Sequence, residues 1–291
     1  MKTDKKRVLV TGAGGQLGRD ITARLNSLGF EALGADKKEL DVTDGGCVKR
    51  YAAAFAPHAI IHCAAYTAVD QAEEERELCR LVNTEGTKNA AAAAEMLSAK
   101  FMYFSTDYVF DGSGERPFRT DDRKAPRNWY GQTKAESEDG LAGLERLFLV
   151  RISWVFGGKG NNFVRTMLRL AETRDEIGVV DDQIGSPTYT RDLAELACRM
   201  IQTERYGIYH ATNEGFCSWA ELAEFIFACA NKNVKVRRLT TEEYPTRAVR
   251  PKNSRLDKSS LDAGGFARLP HWKDAVRRYV ETLRREGPIG T

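Results

Sequence analysis

A chain of 291 residues can bury a large core, and with 42% hydrophobic and 29% charged residues it reads as an ordinary globular protein of one large or two modest domains. The net charge of +3 calls for no acidic partner, and no stretch alternates Lys and Arg with aromatics as a nucleic-acid surface would require. Six scattered cysteines without C-x-x-C, four histidines without H-x-x-x-H spacing and no apolar run of transmembrane length lead us to expect reduced thiols, no metal site, no membrane span and a cytoplasmic location.

The β-branched run Arg7–Thr11 stops at Gly12-Ala13-Gly14-Gly15-Gln16-Leu17-Gly18, and a helical pattern then runs through Leu25 and Leu28 to Gly29 as its C-cap. Strand, glycine turn and helix open a dinucleotide-binding βαβ unit whose helix N-terminus receives a pyrophosphate. Any tight strand-to-helix turn favours glycine, so the weight lies in the place of Gly12, Gly15 and Gly18 at the first β-to-α turn. The second strand, Glu31–Ala35, ends at Asp36, which is either a plain turn residue or the acid that takes the adenosine ribose hydroxyls. Lys37 and Lys38 follow and could instead hold a 2′-phosphate, so NADPH and NADH both stay open, with NADPH modestly preferred.

Asp41-Val42-Thr43-Asp44 leads into a helix that ends near Phe55, where Pro57 breaks it. Residues 59–63 suit a buried parallel strand, and the small residues of Ala64-Ala65-Tyr66-Thr67-Ala68-Val69-Asp70 let backbone approach a ligand. An Ala-rich helix is expected over 78–97, on which Asn83 is either solvated or bonded across to the next helix. A strand at 101–104 carries Ser105-Thr106-Asp107 at its carboxyl end, where open α/β sheets place their ligands. Pro126 and Asn128 then open a helix bearing Tyr130 and Lys134, four residues apart and so on one face. An ammonium beside a phenol lowers its pKa from about 10, and such a pair can pass a proton to a carbonyl while another group supplies hydride. An exposed Tyr with a solvated Lys is the bland alternative; the upstream dinucleotide turn tips the balance.

Further strands are expected at 147–150, 177–180 and 207–211, with helices at 163–172 and 190–202. Ser218-Trp219-Ala220-Glu221 is a capping box, and 243–255 is irregular and rich in Arg. The fold class is therefore a doubly wound parallel sheet of Rossmann type, α/β. Residues 1–153 form the dinucleotide-binding domain, 176–210 return to it, and 154–175 with 211–291 form a smaller interleaved lobe for substrate.

With these pieces placed, the chain resembles the extended short-chain dehydrogenase/reductases and, more narrowly, the dTDP-4-dehydrorhamnose reductase family. The resemblance is carried by Thr11-Gly12-x-x-Gly15-Gln16-Leu17-Gly18, the Ala64 to Asp70 block, Ser105-Thr106-Asp107-Tyr108-Val109-Phe110 and Tyr130-Gly-x-Thr-Lys134. Arg151-Ile-Ser-Trp154, Asn161-Asn162-Phe163, Asp182-Gln183-x-Gly185-x-Pro187-Thr188 and Arg250-Pro251-x-Asn253-Ser254 follow in the family's order over nearly the whole chain. It implies that Tyr130 donates a proton to a C4 carbonyl, that Lys134 lowers its pKa and contacts ribose, and that Thr106 steadies the alkoxide. It implies a cofactor groove of Gly12, Gly15, Gln16, Leu17, Asp36, Asp41, Val42, Ala65, Tyr66 and Thr67. The dTDP-sugar would meet Val69, Thr106, Asp107 and Trp154, with Arg250 and its neighbours on the diphosphate. Two positions depart from the family pattern: His62 stands where asparagine is common, and Ser137 replaces a frequent glycine. The resemblance also allows a homodimer, although Arg191 falls near where some relatives carry an acid for a shared magnesium. Two alternatives are a dehydratase or epimerase, which Tyr108 after Asp107 opposes, and a regulatory subunit like the β subunit of methionine adenosyltransferase.

Overall fold

The computed structural model describes residues 6–158 and 160–286. Five strands, β1 (Arg7–Thr11), β2 (Glu31–Ala35), β3 (Ala59–His62), β4 (Lys100–Thr106) and β5 (Leu147–Ile152), join the strand Gly207–His210 in one parallel sheet. Its order is 207–210, β5, β4, β3, β1, β2. Successive side chains of a strand point to opposite faces, so both faces are apolar when helices cover both. Val8, Val10, Ile61, Met102, Phe104 and Val150 pack beneath helices α1 (Gln16–Ser27) and the helix at Thr190–Met200. Leu9, Ile60, Phe101, Tyr103 and Leu149 face the other way, against the helix Gly45–Phe55 and a row of alanines at 90, 91, 93 and 94. Those alanines bring their helix close to the sheet, because nothing larger than a methyl group intervenes.

The Ala-rich helix is not continuous. It comprises Arg76–Arg80, a π-helical turn at Leu81–Glu85, and Gly86–Met96. The wider turn presents Asn83 and Thr84 to the helix Trp129–Gly140 while leaving the alanines on the sheet: Asn83 Nδ2 donates to Thr133 Oγ1 at 3.0 Å, and Thr84 Oγ1 to the Thr133 carbonyl at 3.1 Å. Such turns recur at functional sites because they re-aim side chains within a helix.

A second core stands apart from the sheet. Strands Glu176–Val180 and Lys235–Leu239 pair in parallel and are covered by helices Phe163–Leu170, Trp219–Ala230 and Trp272–Glu286 through Val164, Met167, Ile177, Ile226, Phe227, Tyr279 and Leu283. Segment 176–210 therefore divides: its strand at 176–180 belongs to the second core, while helix 190–200 packs on α1 and strand 207–210 closes the sheet edge. The segment 247–255 is strapped across to the first body, with Asn128 Nδ2 donating to the Val249 carbonyl at 2.8 Å and the Asn253 amide to the Gly112 carbonyl at 2.9 Å. Among the described residues no helix is long and apolar enough to cross a membrane, and no group of three His, Cys, Asp or Glu could hold a metal.

Candidate active site

The carboxyl ends of β1 to β5 meet the second body along one groove, and the glycine turn forms one end of it. Gly12 has φ +64°, and a Cβ there would stand 2.6 Å from the Ala64 amide nitrogen. At Gly18 a Cβ would lie 2.3 Å from the Gly12 carbonyl oxygen, so helix and strand pack closely only because both residues are glycine. Helix α1 begins at Gln16 with no side-chain cap on its first amides and no acidic residue in its first turn. An uncapped helix start of that kind fits a pyrophosphate. Leu17 is buried, so only its amide is available there; Gln16 Oε1 accepts from Asn162 Nδ2 at 2.9 Å, tying the turn to the loop before the helix at 163–170. Asp36 lies against Gly14, whose Cβ would sit beside Oδ2, and this puts the carboxylate over the turn where a ribose edge belongs. Lys37 and Lys38 are exposed next to it.

Along the groove, Asp41 spends its Oδ1 on the Thr43 amide and hydroxyl at 3.0 and 2.7 Å, which lowers its pKa, and Val42 packs on Gly86. Tyr66 is clamped by Asn83: its amide donates to Asn83 Oδ1 at 2.7 Å and its carbonyl accepts from Asn83 Nδ2 at 3.2 Å, while its hydroxyl donates to Glu75. Asn83 is 1% exposed and so is a structural bridge between the Ala65-Tyr66-Thr67 loop and the Tyr130 helix, not a solvated residue.

That helix, Trp129–Gly140, starts with Asn128 Oδ1 accepting from the Gly131 amide at 2.8 Å. A Cβ at Gly131 would lie 2.3 Å from the Tyr108 carbonyl oxygen, so glycine lets the helix press onto the end of β4. There Thr106 Oγ1 donates to Asp107 Oδ1 at 3.0 Å and accepts from the Tyr108 amide at 3.2 Å. Tyr130 is half-buried and meets the Tyr108 ring edge-on at 5.7 Å, with the Thr106 hydroxyl nearby. Lys134 is buried, donates to the Phe104 carbonyl at 2.6 Å and lies 4.1 Å over the Tyr103 ring. Burial brings its pKa down to about 7, with Glu138 opposing.

The phenol does not follow the expected direction. Loss of solvent around the hydroxyl, and then the neighbouring Asp107, raise the Tyr130 pKa, with Thr106 opposing. Lys134 directs its ammonium to the Phe104 carbonyl instead of stabilising a phenolate, so Tyr130 stays protonated at neutral pH. Asp107 is likewise pushed up, to about 6, by burial, with the nearby Ser254 and Thr106 hydroxyls opposing; Thr106 donates to its Oδ1, and its Oδ2 is buried without a hydrogen-bond partner.

On the far wall, Trp154 holds a left-handed backbone, φ +49°, and its indole covers Gly185, where a Cβ would stand 2.7 Å away. The ring stacks on Trp219 at 3.6 Å and 14°, and Phe163 packs behind. Trp219 escaped the sequence reading because its only signal was the capping box that places it at the start of a helix. Val69 lies half-buried on the loop after β3. Arg250 is not a solvated side chain: Nη2 donates to Asp70 Oδ2 at 2.5 Å.

Residues 6–285 match the RmlD substrate binding domain family. A dTDP-4-dehydrorhamnose reductase of Streptomyces griseus is 42% identical over 96% of this chain and 94% of its own. The chain belongs to the dTDP-4-dehydrorhamnose reductase family. A Bacillus anthracis dTDP-4-dehydrorhamnose reductase, solved in complex with NADP, superposes with a TM-score of 0.94 at 44% identity over 96% of this chain and all of that one. The spore coat polysaccharide biosynthesis protein SpsK of Bacillus subtilis is 40% identical over 94% of this chain and 97% of its own. Within this reductase family the two departures are packing features. His62 is buried, shares a 2.8 Å hydrogen bond with Thr11 Oγ1 and is held neutral by burial, its pKa brought down to about 3. Ser137 donates to the Asn83 and Thr133 carbonyls at 2.9 and 2.7 Å, where the Tyr130 helix packs on the π turn.

Proposed function

We propose that this chain works in the cytoplasm as a reductase of the C4 keto group of dTDP-4-dehydro-L-rhamnose, giving dTDP-L-rhamnose at the expense of NADPH, with NADH also accepted. The observation that carries the proposal is the meeting of Thr106, Tyr130 and Lys134 at the end of β4, with Tyr108 and no carboxylate directly after Asp107. Gly12, Gly15, Gln16 and Leu17 take the cofactor's pyrophosphate on uncapped helix amides, and Asp36 its ribose. NAD(P)H, when bound, supplies hydride to the carbonyl carbon.

The alkoxide that results needs one proton and one steadying donor. Tyr130, kept protonated by its surroundings, gives the proton, and the Thr106 hydroxyl, turning its proton from Asp107 to the substrate, holds the oxygen. Lys134, one helical turn on and bonded to the Phe104 carbonyl, must turn its ammonium to the phenolate as the proton leaves in order to limit the cost of that anion. An elimination would need a further acid–base group where Tyr108 stands, so simple reduction is the chemistry this set of side chains completes. The smaller body, with Trp154 backed by Trp219, bounds the sugar.

The test mixes protein, dTDP-4-dehydro-6-deoxyhexose and excess NADPH, following nicotinamide absorbance beside the sugar product. One NADPH consumed per sugar reduced is expected. Sugar conversion without net NADPH loss would replace the reading by epimerase chemistry, and no conversion would leave a non-catalytic subunit. A hundredfold preference for NADH would show that Lys37 and Lys38 do not meet the cofactor.

A further inference from the structure

Asp70 closes the loop that leaves β3 and crosses the cofactor groove, yet its carboxylate is directed at the other body. Oδ2 accepts from Arg250 Nη2 at 2.5 Å, and Oδ1 accepts from the Ala248 amide at 3.0 Å. One carboxylate thus fixes both the backbone at 248 and the side chain at 250. The Arg250 side chain is 20% exposed, and its guanidinium stands beside the Tyr108 hydroxyl, partly opposing the rise in pKa that burial causes there. Tyr108 in turn presents its ring edge to Tyr130. A guanidinium has five N–H donors in a fixed plane, so a carboxylate on one edge sets the direction in which the others point. Arg250 lines one cavity of about 690 Å³ with Gly112, Arg127 and Arg255, the arginines' positive charge being set against Asp111, Glu115, Asp182 and Glu242 in the same lining.

We infer that Asp70 is a positioning residue for the substrate's diphosphate: it holds the 248–250 backbone and orients the Arg250 fork so that the remaining donors meet the phosphates. The inference rests on the reductase reading proposed above. Asp70 touches neither sugar nor cofactor and acts through Arg250. A second pair on the same segment, Arg247 with Glu74, is exposed on both sides and serves as an internal control.

The experiment measures dTDP, thymidine and NADPH binding calorimetrically for wild type, Asp70→Asn, Arg250→Ala and Glu74→Gln, without any need for turnover. Asn keeps an oxygen for the Ala248 amide and puts an NH2 donor in place of Oδ2, so the guanidinium loses both the charge and the acceptor that orient it. Asp70→Asn is expected to weaken dTDP binding about tenfold, as loss of a charge-assisted arrangement does, and to leave thymidine and NADPH binding within twofold. Arg250→Ala should lower dTDP affinity at least as much, and Glu74→Gln should change nothing. With the keto sugar, KM should rise in Asp70→Asn while kcat holds. Equal dTDP affinity in Asp70→Asn and wild type overturns the inference, as does a parallel loss of thymidine and NADPH binding, which would mark a structural defect. If wild type itself binds no dTDP, the reductase reading fails first.

Discussion

Lys134 is held in the fold at a cost, and replacing it should make the protein more stable at neutral pH while stopping turnover. The amine lies 2% exposed, and its pKa falls from 10.5 to about 7 because burial disfavours the ammonium. An unfolded chain keeps the proton to pH 10.5, so folding at pH 7 sacrifices about 4 kcal/mol of protonation free energy, and at pH 9.5 only about 1 kcal/mol. Lys134→Met escapes this penalty but loses the 2.6 Å bond to the Phe104 carbonyl and strands that acceptor, a loss of about 2 kcal/mol. The variant should therefore exceed wild type by about 2 kcal/mol at pH 7 and fall below it by about 1 kcal/mol at pH 9.5. The sign follows from proton counting. Between pH 7 and 10.5 the unfolded wild type binds one proton more than the folded one, so its stability rises with pH, and the Met variant lacks that slope. Urea denaturation followed by tryptophan fluorescence at the two pH values measures the difference. A variant less stable than wild type at pH 7, or a gap that does not change between the two pH values, would refute the reasoning.

Tyr130→Phe removes the proposed proton donor and should lower turnover by about two to four orders of magnitude with NADPH affinity intact; retention of a tenth of the activity would assign the proton elsewhere. Gly12→Ala places a Cβ at φ +64° and 2.6 Å from the Ala64 backbone, so cofactor affinity should collapse in a fluorescence titration and stability drop by about 2 kcal/mol or more. Arg151→Met strands Glu138, which is buried with it in a bidentate pair at 2.9 and 2.8 Å. Lys124 at 3.5 Å compensates in part, so a loss near the lower end of about 3–5 kcal/mol is expected in chemical denaturation.

The sequence by itself determined the parallel sheet and the glycine turn, and it put forward Thr106, Tyr130 and Lys134 as the candidate set. Each of these rests on local rules: alternation along a strand, glycine at a turn that admits no Cβ, and the four-residue spacing of a helical face. It also placed the capping box at Ser218, which the structure shows with both reciprocal bonds, because caps are made within one turn of chain. What tertiary structure alone decided lies where partners are distant in sequence. Asn83 reaches Tyr66 and Thr133 only because a π turn re-aims it, and a periodic run of alanines carries no sign of that turn. Asp70 and Arg250 are 180 residues apart, and the Trp154 ring finds Trp219 only when the second core folds against the sheet. The titration of Tyr130 and Lys134 was misjudged from spacing because it depends on burial and on where the ammonium points. A helix face puts two side chains together, but the solvent and acceptors around them come from the rest of the fold.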